Sequence, residues 1–185
     1  MAVHIDAAIP VHPLTVSNVA RMVEAGILTE DERIELLDGV LVEMSPPGPA
    51  HSHALRELMA IVLPVAWAEG LRAIVQDPLA LPSSISQPQP DLAVVPAPAR
   101  GGYASDPLLV VEIAQSSRGI DLGRKAAIYA EGGVPEYWVL DIERRELVVH
   151  RDPVDGGYTS VRTAHEDETV SALGLDCAVS VSALL

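Results

Sequence analysis

Two acidic residues lie at or within apolar candidate strands of this sequence. Glu112 belongs to the aliphatic run LLVVEIA, where strand alternation places it on one face with Val110 and Ala114. Burying an ionised carboxylate is costly unless a cation pairs with it. Asp91 begins a second candidate strand, and adjacent strands can bring two carboxylates within about 4–5 Å of each other. Because oxygen ligands suit hard divalent ions, the pair predicts a site for Mg²⁺ or Mn²⁺.

The chain contains one lysine, Lys125, and its other eleven Lys or Arg residues are all arginines. A lysine ammonium approaches a phosphate or an attacking water as a compact point charge, which a guanidinium does less well. Glu35, in the candidate strand IELL, is a further acid among aliphatic residues. Asp91, Glu112, Lys125 and Glu35 are therefore the predicted catalytic residues, and the backbone carbonyl of Ile113 is a predicted third metal ligand.

Each of these residues also has an ordinary structural explanation. Glu112 can pair with an arginine at a strand end, and Asp91 can be a turn residue after proline. Lys125 can be a solvated helix residue paired with Asp121, four positions earlier. Glu35 can be an exposed strand residue. The joint placement of the four residues is what favours a site.

Several neighbouring polar residues receive weaker predictions. His51 and His53 form an H-x-H pair at the start of a candidate helix, but no further soft ligand is placed to complete a zinc site. His51 is either near the site or a polar residue at a helix start. Tyr129, one helical turn after the lysine, is expected to pack against it or support it. Ser117 and its neighbour Ser116 are expected to make local, cap-type hydrogen bonds.

The elements that must position these residues are predicted from hydrophobic periodicity and turn signals. Helices are predicted at residues 15–25, 50–69 (kinked at Pro64) and 121–131. The predicted strands are a hairpin around Asp38-Gly39, the runs RAIVQ, LALP and DLAVV, the aliphatic runs PLLVVEIA and EYWVLDI, and the closing pair ELVVHR and GYTSVR. This mixture predicts an α/β fold, a mixed β-sheet flanked by helices with an N-terminal helix and hairpin. Residues 1–13 are interpreted as an N-terminal arm and residues 14–185 as a single domain.

Composition limits the classes of function. With 185 residues the chain is about one domain long, and no apolar run reaches the roughly 18 residues that span a bilayer. The single cysteine, Cys177, excludes an internal disulfide, so a cytoplasmic protein without membrane contact is expected. The net charge of −14 opposes DNA binding, since phosphate contacts usually require a basic surface. Nucleic-acid binding is therefore expected to be local, weak, or assisted by metal ions or a partner.

Five motifs follow one another along the chain after its first dozen residues. They are IELLDGVLVEMSPPGPAH, QPDLAVV, LLVVEIAQSS, DLGRKAAIYAEGGVPEYWVLD and the terminal VSALL. In these motifs and their order, the sequence resembles the Uma family of putative restriction endonucleases, within the PD-(D/E)xK nuclease superfamily.

The resemblance implies a restriction-endonuclease-like core with Asp91 and Glu112 as magnesium ligands. Glu35 matches the early acidic position of the family, and Lys125 matches its helix lysine. The chain departs from the general superfamily pattern at Ala114, where a lysine two residues after Glu112 would be expected. Lys125 would then reach the same space from the following helix.

These inferences predict a Mg²⁺-dependent endonuclease, with Mn²⁺ as an alternative ion, that hydrolyses phosphodiester bonds of DNA. The oligomeric state stays open, with a homodimer as the candidate, because two-fold dimers are the commonest homo-oligomers. Two other functions stay open. One is a catalytically silent nucleic-acid-binding or scaffold protein on a nuclease fold. The other is a hydrolase of nucleotides or other small molecules that uses the same carboxylates.

Overall fold

A computed structural model describes residues 12–29, 31–97 and 101–185. The expected arm at residues 1–13 lies almost wholly outside the described residues. The helices are α1 (Val16–Glu24), α2 (Pro49–Ala68), α3 (Arg118–Ile120) and α4 (Ala126–Glu131), with a π-helical turn, Asp121–Lys125, joining the last two. The strands are β1 (Ile34–Leu37), β2 (Val40–Glu43), β3 (Arg72–Ile74), β4 (Leu79–Ala80), β5 (Leu92–Val95), β6 (Ala104–Ser105), β7 (Leu109–Ala114), β8 (Glu136–Asp141), β9 (Glu146–Val154), β10 (Gly157–His165), β11 (Thr169–Ser171) and β12 (Ala178–Ser180), followed by a 3₁₀ turn, Val181–Leu184. In the described part of the chain, no helix has the length and apolar character needed to cross a membrane.

The main sheet is mixed and has six strands in the order β10-β9-β8-β7-β5-β3. Strands β7 and β8 are parallel, and the other neighbouring pairs are antiparallel. The segment from α3 to α4 makes the crossover that a parallel pair requires. The predicted mixed sheet flanked by helices is therefore confirmed.

Strand β7 lies in the middle of this sheet with a hydrophobic layer on each side. Leu109, Val111 and Ile113 pack in the core that contains α2, while Val110 and Ala114 pack in the core that contains α4. Every residue of β7 is buried, which explains its nearly unbroken aliphatic sequence. Glu112 alternates with Val111 and Ile113, so its carboxylate is on the α4 side, as the strand pattern predicted.

The N-terminal hairpin also follows its prediction. Asp38 and Gly39 connect β1 to β2 and both have positive φ angles, 49° and 76°. Such a turn matches the twist of a two-stranded ribbon, which is why the Asp-Gly pair identifies it. At Gly39 a Cβ atom would lie 2.3 Å from the Cβ of Pro13, so the close approach of the chain also requires glycine. The hairpin presents one face of β1 to the end of the main sheet.

Helix α2 contains Pro64 within its length, and the kink expected there stays a prediction. Three local features differ from the sequence expectations. The helix predicted from residue 121 begins three residues earlier, at Arg118, and contains the π turn. The LALP run forms only a two-residue strand, which pairs with β6 outside the main sheet. The weakly patterned C-terminus adds β11, β12 and the 3₁₀ turn, whose Val179, Val181 and Leu184 join the core beneath α2.

Glu136 ties this C-terminal segment to the main sheet. Its side chain is fully buried and accepts hydrogen bonds from Arg151 Nη2 at 2.6 Å, Trp138 Nε1 at 2.9 Å and the Leu173 amide at 2.5 Å. Arg151 Nη2 also donates to the Ser171 carbonyl at 2.6 Å. A buried carboxylate with this number of donors is stable only while its cation is present.

The substitution Arg151→Met is therefore expected to lower the free energy of unfolding by about 3–5 kcal/mol, because it leaves a buried charge unpaired. Urea unfolding followed by circular dichroism measures the change. Arg145→Met is the matched control, since Arg145 pairs with Glu166 at the surface and its loss should cost much less. Equal losses in the two variants would contradict the assignment.

Candidate functional site

A cavity of about 190 Å³ opens where the hairpin, the main sheet and the α3–α4 segment meet. The C-terminal half of β7, the start of β5 and the buried face of β1 form its floor. The loops that follow β2 and β7 form its rim. Its polar and charged lining consists of Arg33, Glu35, Glu43, Ser45, His51, Gln76, Asp91, Glu112, Gln115, Ser116, Ser117, Asp121 and Lys125.

The Lys125 ammonium lies at the centre of an acidic cluster. Its Nζ is 3.0 Å from Glu112 Oε1 and 3.0 Å from Glu35 Oε2, but 4.0 Å from Asp121 Oδ1. Tyr129, one turn further along the helix, donates its hydroxyl to the same Glu112 oxygen at 2.8 Å. Lys125 is therefore not the solvated residue of the ordinary explanation, because it is buried and its nearer partners, Glu112 and Glu35, come from two strands.

Asp91 is held beside this cluster by three donors. The Ile113 amide donates to Oδ2 at 2.8 Å, Gln76 Nε2 donates to Oδ1 at 3.1 Å, and His51 Nε2 lies 3.0 Å from Oδ1. The strand register explains the position of Asp91, because Leu92 pairs with Val111 in the antiparallel β5–β7 ladder. One residue further, Asp91 faces the end of β7 that carries Glu112.

Burial and neighbouring charges determine the protonation states within the cluster. Burial raises the pKa of Glu112 well above its usual value, even though Lys125 acts in the opposite direction. Burial by itself would lower the pKa of Lys125, but Glu112, Glu35 and Asp121 outweigh it and raise that pKa. The lysine is therefore a permanent cation at any working pH.

The two aspartates of the site differ from one another. Burial raises the pKa of Asp121 to about 6, against the opposing effects of Lys125 and of the Ser117 hydroxyl, which donates to Asp121 Oδ2 at 2.5 Å. Burial also acts to raise the pKa of Asp91, but His51, the Ile113 amide and Gln76 outweigh it and lower that pKa. Of these two aspartates, Asp91 therefore ionises more readily, which suits a metal ligand.

The free oxygen atoms of the two carboxylates are compatible with a hard divalent cation. Asp91 Oδ2 accepts one hydrogen bond, and no described residue donates to Glu112 Oε2. Within residues 12–29, 31–97 and 101–185, no three acidic, histidine or cysteine side chains are arranged to hold a metal. Mg²⁺ usually keeps several water ligands and is often bound by only one or two carboxylates, so a pair of carboxylates is compatible with it.

The structure brings together the four predicted catalytic residues in one cavity, and it adds contacts that the sequence did not reveal. Gln76 reaches Asp91 from the loop after β3, and no sequence signal marks it. His51 is near the site, while His53 only approaches Glu57 at 3.9 Å on the exposed side of α2, so the two histidines do not form a pair. Ser117 makes a local hydrogen bond, as predicted, but it is not a helix cap, because the hydroxyl donates to the carboxylate of Asp121.

Comparisons with known proteins identify the family of this chain and a solved structure with a similar fold. The chain matches the model of the Uma2 family, described as "Putative restriction endonuclease", over residues 21–183. Its fold is similar to that of a solved structure from Anabaena variabilis ATCC 29413, described as "a putative nuclease belonging to DUF820", with a TM-score of 0.74 and 17% sequence identity. The match covers 93% of this chain and 97% of the other, and at that identity it establishes the fold alone. No curated protein matches the chain.

The substitution Lys125→Met is expected to lower the free energy of unfolding by about 3–5 kcal/mol, because Glu112 and Glu35 lose their shared cation in a buried place. The loss should shrink as the pH falls from about 8 to about 5. Burial raises the pKa of Glu112 in the folded state, so the folded variant binds a proton more tightly than the unfolded chain does, and that proton removes the unpaired charge. Urea unfolding at several pH values measures both effects.

The double variant Lys125→Met with Glu112→Gln provides the control for this prediction. Removing the buried charge together with its partner should cost less than the sum of the two single changes. Strict additivity of the three free energies, together with a loss that does not depend on pH, would show that the ion pair does not act as described.

Proposed function

The chain belongs to the Uma2 family, described as "Putative restriction endonuclease", and we propose that it is a metal-dependent endonuclease that hydrolyses the phosphodiester bonds of DNA. The observation that carries the proposal is the position of Lys125 Nζ, 3.0 Å from Glu112, in a cavity that Asp91 also lines. Residues 14–185 are proposed to act as a single domain, and a homodimer stays a prediction.

The proposed ligands are the carboxylates of Asp91 and Glu112 and the backbone carbonyl of Ile113. Their oxygens suit Mg²⁺, with Mn²⁺ as the alternative. When bound, such an ion supplies a Lewis acid and lowers the pKa of a water molecule attached to it. The three donors that hold Asp91 keep its carboxylate oriented before any ion arrives, which reduces the entropy lost on binding.

Lys125 is proposed to act as a fixed positive charge and not as a proton acceptor. Its pKa is raised by Glu112, Glu35 and Asp121 in spite of burial, so it has no tendency to lose its proton. A positioned ammonium can hold an attacking water or stabilise the negative charge that grows on the phosphate oxygens. Glu35 and Tyr129 position the ammonium and the Glu112 carboxylate, respectively.

The alternative function is a silent binding or scaffold protein, and one observation favours it. The net charge is −14, which opposes association with a polyanion. The two functions predict different results for DNA cleavage and for stabilisation of the fold by a metal ion. The following two experiments measure these effects.

Cleavage is the first test. Supercoiled plasmid and circular single-stranded DNA are incubated with Mg²⁺ or Mn²⁺ and with the native chain, Asp91→Asn, Glu112→Gln or Lys125→Met. Each substitution is expected to lower the cleavage rate by about 10²–10³-fold, because each removes a metal ligand or a charge that stabilises the transition state. Glu131→Gln is the matched control, since Glu131 is exposed and lies outside the cavity.

Cleavage by every variant at the native rate would indicate a contaminating nuclease and would contradict the proposal. So would intact DNA in every native sample. Thermal unfolding of each variant shows beforehand that a folded chain is being assayed.

Metal binding is the second test. An ion that binds only the folded chain at ten times its dissociation constant should raise the free energy of unfolding by about 1.4 kcal/mol. Thermal unfolding in Mn²⁺ or Mg²⁺, compared with unfolding in a chelator, measures this effect. Asp91→Asn should lose most of the increase. An equal increase in Asp91→Asn and the native chain would place the ion elsewhere.

A further inference from the structure

Arg33 lies at the rim of the cavity, and the proposed reaction gives its positive charge no role. Its backbone carbonyl accepts a hydrogen bond from the Met44 amide at 2.8 Å, which extends the β1–β2 ladder one pair beyond Ile34 and Glu43. Arg33 is two residues before Glu35, so strand alternation places both side chains on the same face, about 7 Å apart along the strand. Glu35 reaches Lys125 in the floor, and Arg33 lines the same cavity nearer to solvent.

The other basic side chains of the cavity already have acidic partners. Lys125 contacts Glu112 and Glu35, and His51 contacts Asp91. The side chain of Arg33 is exposed, and no carboxylate of the described residues lies within 4.0 Å of its guanidinium. An exposed guanidinium at the rim is accessible to a ligand that enters from solvent.

More acidic than basic side chains line the cavity, so an accessible guanidinium at its rim matters for binding a phosphate. Five acidic side chains line it, against the cations of Arg33 and Lys125, so a phosphate chain approaching the floor meets net negative charge. One metal ion would neutralise part of that charge at the floor but would not act on phosphates further out. A guanidinium at the rim offers forked N–H donors that match two phosphate oxygens. The five acids are Glu35, Glu43, Asp91, Glu112 and Asp121.

We propose that Arg33 is a substrate-binding residue that holds a polynucleotide phosphate next to the one at the cavity floor. This inference rests on the proposed nuclease function, because it assigns Arg33 to the same site. It makes the cavity a two-point site, in which the floor acts on one phosphodiester while the rim fixes its neighbour. Binding at such a rim affects the affinity for the chain of phosphates and leaves the chemistry at the floor unchanged.

A binding experiment in a chelator tests the proposal without cleavage. Fluorescence anisotropy measures the affinity of the native chain, Arg33→Gln and Arg72→Gln for a labelled DNA strand and for its duplex. Losing one phosphate contact should reduce the slope of log K against log salt by about 0.7–0.9. That corresponds to an affinity about 5- to 8-fold weaker at about 0.1 M salt and about 2- to 3-fold weaker at about 0.3 M.

Arg72→Gln is the matched control, because Arg72 pairs with Val95 at the end of β5 that is opposite to Asp91. Its affinity and salt slope should stay native. Glu43→Gln changes a rim charge in the other direction and should tighten binding. Arg33, Arg72 and Glu43 are all exposed, so none of the three substitutions should shift the midpoint of thermal unfolding appreciably.

A kinetic experiment in Mn²⁺ supplies the second measurement. Arg33→Gln should raise KM by the same factor as it weakens binding and should leave kcat within about twofold, because uniform binding is what it removes. A native affinity and salt slope for Arg33→Gln would overturn the proposal, as would an equal loss in Arg72→Gln or weaker binding in Glu43→Gln. A chain that binds DNA through Arg33 but never cleaves it would contradict the nuclease function, and only the phosphate contact of Arg33 would stand.

Discussion

One buried ammonium, that of Lys125, is the charge on which the rest of the site depends. Glu112 and Glu35 come from different strands, and the ammonium lies 3.0 Å from an oxygen of each, where a buried carboxylate without a nearby cation would be costly. The π turn at Asp121–Lys125 directs this lysine inward while Asp121 remains beside it. Single π turns inside helices often occur at functional sites. The same ion pairs join the N-terminal hairpin to β7, so the site also holds two parts of the fold together.

Much of this arrangement could be predicted where local sequence determines structure. The aliphatic β7 run, with Glu112 on its α4 side, and the Asp38-Gly39 hairpin follow from periodicity and turn preference. The π turn could not be predicted, since the 3.6-residue period treats positions 121–131 as an ordinary helix. The contact of Gln76 with Asp91 depends on where the loop after β3 lies. Long-range packing of this kind leaves no periodic signal in the chain.

The geometry of the cavity accounts for part of the acidic composition of the chain. Part of the charge of −14 is concentrated in the cavity, where Lys125 neutralises only some of it. A divalent cation would reverse the sign at the floor, because carboxylates that bind a metal become an electropositive spot. Arg33 would extend that spot to the rim. On this account, affinity for DNA resides in one small region and most of the surface does not contribute to it.

A crystal structure of the native chain soaked in Mn²⁺, with anomalous scattering recorded, shows whether Asp91 and Glu112 share a metal ion. We expect one strong anomalous peak in the cavity, about 2.1 Å from an oxygen of Asp91 and an oxygen of Glu112. We also expect Lys125 Nζ to stay within hydrogen-bond distance of Glu112. An empty cavity in crystals that hold Mn²⁺ elsewhere would contradict the proposed metal site, because the two carboxylates would then serve the fold and not a metal.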